Sequence, residues 1–492
     1  MNLKDIHREK TLFSTQDGCK LSIFHYSYSG ETGALEADSG RRVIDSFSLE
    51  DICTAVVQSS SAGDGEPFPS EQLSFAELRR RECFVQLTGW QSWSAGWELA
   101  PGERFPSYIP VIPPLENYIY PPLVPSREKT RTGSFIMWLR FGTEYLGFAS
   151  IGRDTAPVNY TFDPKSLSVV ITIYSYGKKW KPGEQMAEIA LFHARSPFEL
   201  KGIMGELYGT AHGDRRAQRF AGLEFLSAEE ERIIPAGWES WYSHYHNIDE
   251  TLILRELYAL NKNGNLLNQR YIQKGKPIIF QIDDGWQREV GDWEQERLRF
   301  PSGLEAVTAK IEGEGYIPGL WIAPFAVSRR APIFSRKPEW LLRNTKGKPV
   351  KAGFNPPWGG DYFCLDLSRD DVIEHIDTVM ERVINEWGFR YIKLDFLFAG
   401  MLPGAFTVPG GVWEWYIRAV QMLTARKTDR RGKPVAYLGC GLPLELSYRY
   451  LPLSRIGADT REHWERGELK LLRFAGRPSA YISMRDTIGR SF

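Results

Sequence analysis

Apolar positions in the first half of the chain recur at every second residue. Phe135, Met137, Leu139 and Phe141 form one such row. In another, Leu167, Val169, Ile171 and Ile173 alternate with Ser168, Val170, Thr172 and Tyr174. A period of two places alternate side chains on one face of a strand. Similar runs lie at 19–28, 82–87, 145–151 and 186–192, and turn-rich stretches at 63–67 and 110–125 punctuate them. Strands that follow one another without intervening helices predict an antiparallel β-sandwich over residues 1–215. Residues 197–215 read as a connecting helix and loop.

The pattern changes near residue 233. Short apolar strands are predicted at 233–241, 277–284, 316–324, 362–367, 391–396, 435–440 and 454–459. Amphipathic helices are predicted at 250–261, 370–386 and 412–428. Alternating strands and helices imply parallel strands with crossover helices, and hence a (β/α) barrel over residues 216–492. Most of these strands end in glycine or a carboxylate, and in such a barrel the chemistry sits at the C-terminal strand ends. An open doubly wound sheet would need a phosphate-cradling first turn, and no GxGxxG occurs.

Composition narrows the function classes. The 492 residues carry no formal net charge, with 42% apolar and 25% charged positions, which excludes a mainly disordered chain and a nucleic-acid binder relying on bulk positive charge. No apolar run is long enough for a membrane span, and residues 1–10 lack the apolar stretch of a secretion signal. Five widely spaced cysteines without a CxxC pair argue against a disulfide framework or a zinc site and suit a reducing cytoplasm. Sixteen tryptophans, several beside glycine and aspartate, suit a carbohydrate site, because the C–H faces of a pyranose pack on flat rings.

Within Tyr-Ile-Lys-Leu-Asp-Phe (391–396), Lys393 and Asp395 share one strand face, opposite Ile392, Leu394 and Phe396. A nearby ammonium favours the ionised carboxylate that a nucleophile requires, although the spacing alone equally allows a structural ion pair. Arg455, Gly457 and Asp459 repeat the parity two βα units later. Two inward carboxylates suit retaining glycoside cleavage, which needs them about 5–5.5 Å apart. Arg455 would lower the pKa of Asp459 and the charge of Asp395 would raise it; Arg455 is expected to bind sugar hydroxyls instead. Asp283 and Asp284, in Phe-Gln-Ile-Asp-Asp-Gly-Trp, offer acceptors to sugar hydroxyls, or else form a turn and helix cap.

These segments, with Gly-Trp-Glu-Ser-Trp-Tyr (237–242), Gly-Asp-Trp (291–293), Pro-Gly-Leu-Trp-Ile-Ala-Pro-Phe (318–325) and Leu-Gly-Cys-Gly (438–441), resemble glycoside hydrolase family 36, the α-galactosidase family. The resemblance covers roughly 235–460. It implies a β-supersandwich followed by a (β/α)8 barrel, with Asp395 as nucleophile and Asp459 as acid/base. It also implies that Asp283 and Asp284 hold the galactose 4- and 6-hydroxyls. Trp321, Lys393, Cys440 and Arg455 would line the sugar subsite, with Trp238 as a further member. No metal or organic cofactor is implied. The implied partner is an oligosaccharide with terminal α-linked galactose, with neither nucleic acid nor membrane, and a homo-oligomer is left open.

The family's last barrel strands and C-terminal β domain find no counterpart before Phe492, where only a helical stretch at 477–491 is predicted. An incomplete barrel is therefore expected. Trp90, Trp93 and Trp97 divide between core packing and a loop from the first domain reaching over the site. His244 and His246 read as ordinary residues rather than metal ligands, and Arg79–Arg81 as a solvated face. Galactosyl transfer, a non-catalytic sugar-binding remnant and an altered sugar such as N-acetylgalactosamine stand as alternatives to hydrolysis.

Overall fold

The structure, a computed structural model, describes residues 6–14, 20–29, 41–61, 75–94, 96–104, 121–210, 236–262, 265–271, 278–451, 453–457 and 459. The stretches expected at 63–67 and 477–491, and the expected boundary at 215/216, lie outside the described residues. So does most of 110–125.

The first half is built of antiparallel strands: β1 (Ile6–Ser14), β2 (Lys20–Tyr28), β3 (Arg41–Ser48), β4 (Phe84–Leu87), β5 (Glu98–Leu99), β6 (Thr132–Ser134), β7 (Ile136–Phe141), β8 (Glu144–Ser150), β9 (Val158–Asp163), β10 (Ser168–Tyr174) and β11 (Gln185–Ala194). They form a seven-stranded sheet, ordered β1-β2-β11-β8-β7-β4-β5, and a four-stranded sheet, ordered β3-β10-β9-β6. The period-two rows face inward. Met137, Leu139 and Phe141 are buried while Ile136, Trp138 and Arg140 are half-buried. They share one core with Val169, Ile171 and Ile173 of the second sheet. The helix Pro197–Thr210 covers the outer face of the larger sheet with Leu200, Ile203 and Leu207, one stripe at helical spacing. A further helix, Leu49–Ser61, was not anticipated; it buries Ile52 and Cys53.

In the second half, β12 (Gly237–Glu239), β13 (Ile279–Ile282), β14 (Ile317–Ile322), β15 (Ala326–Ser328), β16 (Lys351–Asn355), β17 (Gly360–Cys364), β18 (Tyr391–Leu394), β19 (Ala436–Gly439) and β20 (Leu453–Ser454) follow. Six of them make a parallel sheet ordered β12-β13-β14-β18-β19-β20, an incomplete TIM-like barrel. Outward residues such as Phe280, Leu320 and Ile392 pack in the core that also takes Ile253 and Leu257, Val307 and Ile311, and Ile376 and Val379 from three covering helices. Ile279, Ile317, Tyr391 and Ala436 form a separate inward layer. The helix Glu250–Leu260 starts where Asp249 accepts the Leu252 N–H at 2.7 Å, a side-chain N-cap.

Two expectations change. The strand expected at 362–367 does not join the barrel. It is β17, which pairs antiparallel with β15 and β16 in a three-stranded excursion, so β14 lies directly beside β18. Periodicity identifies a strand but not its partner. The strand expected at 454–459 ends at Ser454, so parity cannot place Asp459.

The sandwich docks on the barrel through residues 444–450. The Glu445 carboxylate accepts from Ser150 Oγ and, at 3.0 Å, from Val158 N. Arg449 donates to the Ile151 carbonyl at 2.7 Å, and Tyr450 OH donates to Asp154 at 3.0 Å. Burial pushes the Glu445 carboxyl up to about 8, against the pull of its Ser150 and Val158 donors. An unfolded glutamate titrates near about 4.3, so between about 4.3 and 8 the folded chain holds a proton that the unfolded chain has lost. Stability contributed by this group is full below that window and is lost as pH rises through it. Melting curves from pH 5 to 8.5 should show the wild-type melting temperature falling more steeply than that of Glu445→Gln; equal slopes would refute the assignment.

Candidate active site

The C-terminal ends of β13, β14, β18 and β19 converge on one charged cluster. Because β18 alternates, Lys393 faces inward with Tyr391, and Asp395 follows one layer above. Lys393 is buried. Its Nζ lies 2.8 Å from Asp283 Oδ2, 4.0 Å from Asp395 Oδ2 and 3.8 Å from Glu239 Oε2. Burial works against its charge, but the facing carboxylates hold its pKa well above the usual lysine range.

Asp395 is buried. Trp321 Nε1 donates to Oδ2 at 2.8 Å, the Phe396 N–H donates to Oδ1 at 2.8 Å, and the Cys440 thiol supplies a third hydrogen bond. Burial raises the carboxyl above the ordinary aspartate range, and Lys393, Trp321 and Cys440 offset only part of that rise. Lys393 therefore acts in the expected direction without lowering the net value. Phe396 sits at φ 52°, a left-handed conformation unusual for an aromatic residue. Its ring is wedged against Trp93, Trp358 and Tyr362 at 4.9, 4.8 and 5.6 Å, which holds the turn after Asp395.

Asp283 accepts from Gln281 Nε2 at 2.6 Å, from Lys393 and from the Asp284 N–H. Asp284 accepts from Gln287 Nε2 at 2.6 Å and from Trp358 Nε1 at 2.8 Å. Burial pushes the Asp284 carboxyl up to about 6. The next residue, Gly285, has φ +122°, and a Cβ there would stand 2.5 Å from the His246 carbonyl oxygen. The turn that presents both carboxylates therefore needs glycine.

Asp459 lies past the end of β20. Trp241 Nε1 donates to Oδ2 at 2.9 Å; Arg455 Nη2 and Tyr242 OH donate to Oδ1 at 3.2 and 3.3 Å. Partial burial favours its neutral form, but Arg455, Lys393 and these donors bring its pKa below the usual aspartate range. The side chain retains 46% of its surface, so solvent screens the ion pair. Arg455, expected to be free for sugar, is engaged with Asp459, and its guanidinium also feels Asp395 and Cys440.

The sandwich reaches this site. Trp93 Nε1 donates to Cys440 Sγ at 3.2 Å, and Ser92 N donates to the Leu442 carbonyl at 3.0 Å. Gly441 has φ +57°, and a Cβ on it would meet the Trp93 ring at 3.0 Å. Trp90 and Trp97 are buried in the core, so the Trp-rich segment serves both readings. Trp238 turns its ring aside: it stacks on Phe280 at 4.5 Å, on the outward parity of β13. Its neighbour Glu239 faces inward instead. Glu239, Gln281, Trp358, Trp241 and Tyr242 were missed as site residues. Parity with Gly237 and with Asp283 could have flagged Glu239 and Gln281. A cavity of about 470 Å³, lined by Trp238, Glu239, Gln281, Lys393, Tyr242 and Arg455, opens between β12 and β20.

The melibiase family model matches residues 234–398, which span Asp283, Asp284, Lys393 and Asp395. Over these residues, about a third of its length, the chain resembles melibiases. The chain is similar to the α-galactosidase AgaA of Geobacillus stearothermophilus, 30% identical over 241 residues, which is 48% of this chain and 29% of that protein. An Escherichia coli α-galactosidase is 24% identical over 36% of this chain and 23% of its own length. The matches thus span less than a third of either relative's length. A galactosaminidase of Flavonifractor plautii acting on A type blood α-D-galactosamine is 28% identical over 33% of this chain and 14% of its own. In fold, the chain matches TtGalA, an α-galactosidase from Thermus thermophilus in complex with p-nitrophenyl α-D-galactopyranoside, with TM-score 0.65 at 24% identity. That match covers 98% of this chain and 81% of TtGalA. An AgaA variant in complex with raffinose matches at TM-score 0.53 and 16% identity, over 94% of this chain and 59% of its own. The matched residues thus carry Glu239, Asp283, Asp284 and Asp395, while Cys440, Arg455 and Asp459 lie beyond the matched end.

Replacing Lys393 by methionine would leave buried carboxylates without their cation. Breaking one side of a buried pair costs about 3–5 kcal/mol. Urea unfolding of Lys393→Met should show a loss of that order; a loss below about 1 kcal/mol would mean that the cluster is not buried as described.

Proposed function

We propose that the chain is a retaining α-galactosidase that removes terminal α-linked galactose from oligosaccharides of the raffinose type. One observation carries this reading. Asp395 is buried beside the Lys393 ammonium, held by Trp321 and Cys440, with the Asp283–Asp284 pair at the end of β13, one strand beyond β14. In this reading Asp395 attacks the anomeric carbon and forms a covalent galactosyl-enzyme, displacing the aglycone oxygen. Asp459 protonates that oxygen and then takes a proton from the attacking water, whose oxygen ends on the anomeric carbon. Asp283 and Asp284 accept hydrogen bonds from the 4- and 6-hydroxyls, Trp321 and Cys440 line the sugar, and Arg455 sets the charge of Asp459.

As described, Asp459 is in its ionised, base form. An aglycone lying over it would exclude the remaining solvent and raise its proton affinity, as the first step requires. Support for the sugar class comes from relatives described as α-galactosidases and from solved relatives holding raffinose or stachyose. The galactosaminidase relative keeps N-acetylgalactosamine in the substrate panel. Transfer to a second sugar instead of water uses the same groups and depends on the acceptor side. Placement in the cytoplasm belongs to the same proposal; among the described residues no helix is long and apolar enough to cross a membrane.

A second reading, sugar binding without turnover, is favoured by the sheet itself. Among the described residues β12 and β20 are its edges and do not pair with each other. An aryl α-galactoside assay with product anomers followed by NMR decides between the two. The hydrolase reading expects α-galactose as first product and a rate reduced at least 10³-fold in Asp395→Asn with an unchanged melting curve. Full activity in Asp395→Asn would remove Asp395 from the mechanism. A cooperative melt with galactose binding but no turnover in the parent chain would establish the second reading.

A further inference from the structure

Glu239 belongs to none of the roles above, yet it faces the centre of the cluster. It ends β12, and its parity with Gly237 points it inward, level with Gln281 of β13. Its Oε2 lies 3.8 Å from Lys393 Nζ. Lys393 thus brings the carboxyls of Glu239 and Asp283 to one ammonium, and Glu239 Oε1 is buried without a partner. Two buried carboxylates at one ammonium repel each other, and they can hydrogen-bond only if one of them holds a proton, because each ionised group only accepts. The charge count agrees: one ammonium faces Asp283, Asp395 and Glu239 within 4.0 Å.

We propose that Glu239 is a positioning residue of the galactose site: its carboxyl donates a shared proton to Asp283, so that the single charge of Lys393 serves Asp283 and Asp395. This rests on the glycosidase reading for its consequence, though not for the proton itself. The groups facing Glu239 are Asp283 beyond β13, Tyr391 and Lys393 on β18, Asp459 beyond β20, and Tyr242 and Arg455, which line the same cavity. Lys393 opposes protonation. Burial, Asp283 and Asp459 outweigh it and bring the Glu239 carboxyl up to about 7.

When Glu239 ionises, the hydrogen bond becomes a repulsion, Asp283 shifts, and its grip on a sugar hydroxyl weakens. The wild-type affinity for galactose, read by tryptophan fluorescence, should therefore fall as pH rises from 6 to 8. Glu239→Gln retains a donor towards Asp283 and cannot ionise, so its affinity should stay level within twofold and match wild type at pH 6. Glu239→Ala should bind weakly at both pH values. In parallel, infrared difference spectra of the wild-type chain against Glu239→Gln should show a protonated-carboxyl C=O band that titrates near neutrality and is missing from the variant. That band reports the proton whether or not the chain binds or cleaves a galactoside. Its absence overturns the proposal, as does a Glu239→Gln variant that binds galactose with the wild-type pH dependence. If the band is present while no galactoside is bound or cleaved at any pH, the proton on Glu239 stands and the glycosidase reading falls.

Discussion

A buried ammonium among several carboxylates is the constraint on which the rest of the site depends. Removing Lys393 and its partners from water is costly, and the attraction between them offsets that cost only where geometry and hydrogen bonds are complete. The sheet supplies the geometry. Lys393 and Trp321 are register partners on β18 and β14, and Asp283 follows the Ile282–Leu320 pair, so the three side chains converge on one layer. Gly319 lies between Gln281 and Tyr391 in the layer below, where a Cβ would already stand 3.1–3.2 Å from both neighbours. A side chain there would press Gln281 and Tyr391 apart by a few tenths of an ångström, directly beneath the charges.

The second consequence concerns protons. Burial alone would neutralise these carboxyls, and Lys393 can hold only part of their charge. Asp284 and Glu239 shift towards neutrality, whereas Asp459, with an arginine, a tryptophan N–H, a tyrosine hydroxyl and open solvent beside it, stays ionised. Environment thus divides chemically similar groups into proton holders and charge carriers, which is the condition for acid–base work at one pH.

Much of this was legible in the sequence, and the limits are physical. Period two in 135–141 and 391–395 placed Leu139, Lys393 and Asp395 on the correct faces, because pleating fixes side-chain direction within a strand. The same argument would have turned Glu239 inward beside Gln281, and it was not applied there. The strand at 362–367 was recognised, but its antiparallel partners β15 and β16 were not, since pairing depends on where the chain returns. Asp459 was assigned by a parity that ends at Ser454; what holds it is Arg455 nearby together with Trp241 and Tyr242, more than two hundred residues away. The Leu49–Ser61 helix left no clear mark among its strand-rich neighbours.

The segment from β19 to Tyr450 links the two halves of the chain. Cys440 accepts the Trp93 N–H and donates its S–H in a hydrogen bond to Asp395, while Glu445, Arg449 and Tyr450, a few residues on, hold β8, β9 and the loop between them. Burial keeps the Cys440 thiol protonated, so it serves as a donor rather than a thiolate. Trp93 fits over Gly441 because that residue has no Cβ, and Ser92 is tied to the Leu442 carbonyl. The contact that seats the sandwich and the hydrogen bond that steadies the Asp395 carboxylate therefore run through one short stretch of backbone. Displacing the sandwich from residues 444–450 would pull on Cys440 and alter the charge balance of Asp395, which makes the β-sandwich part of the candidate site as well as its neighbour.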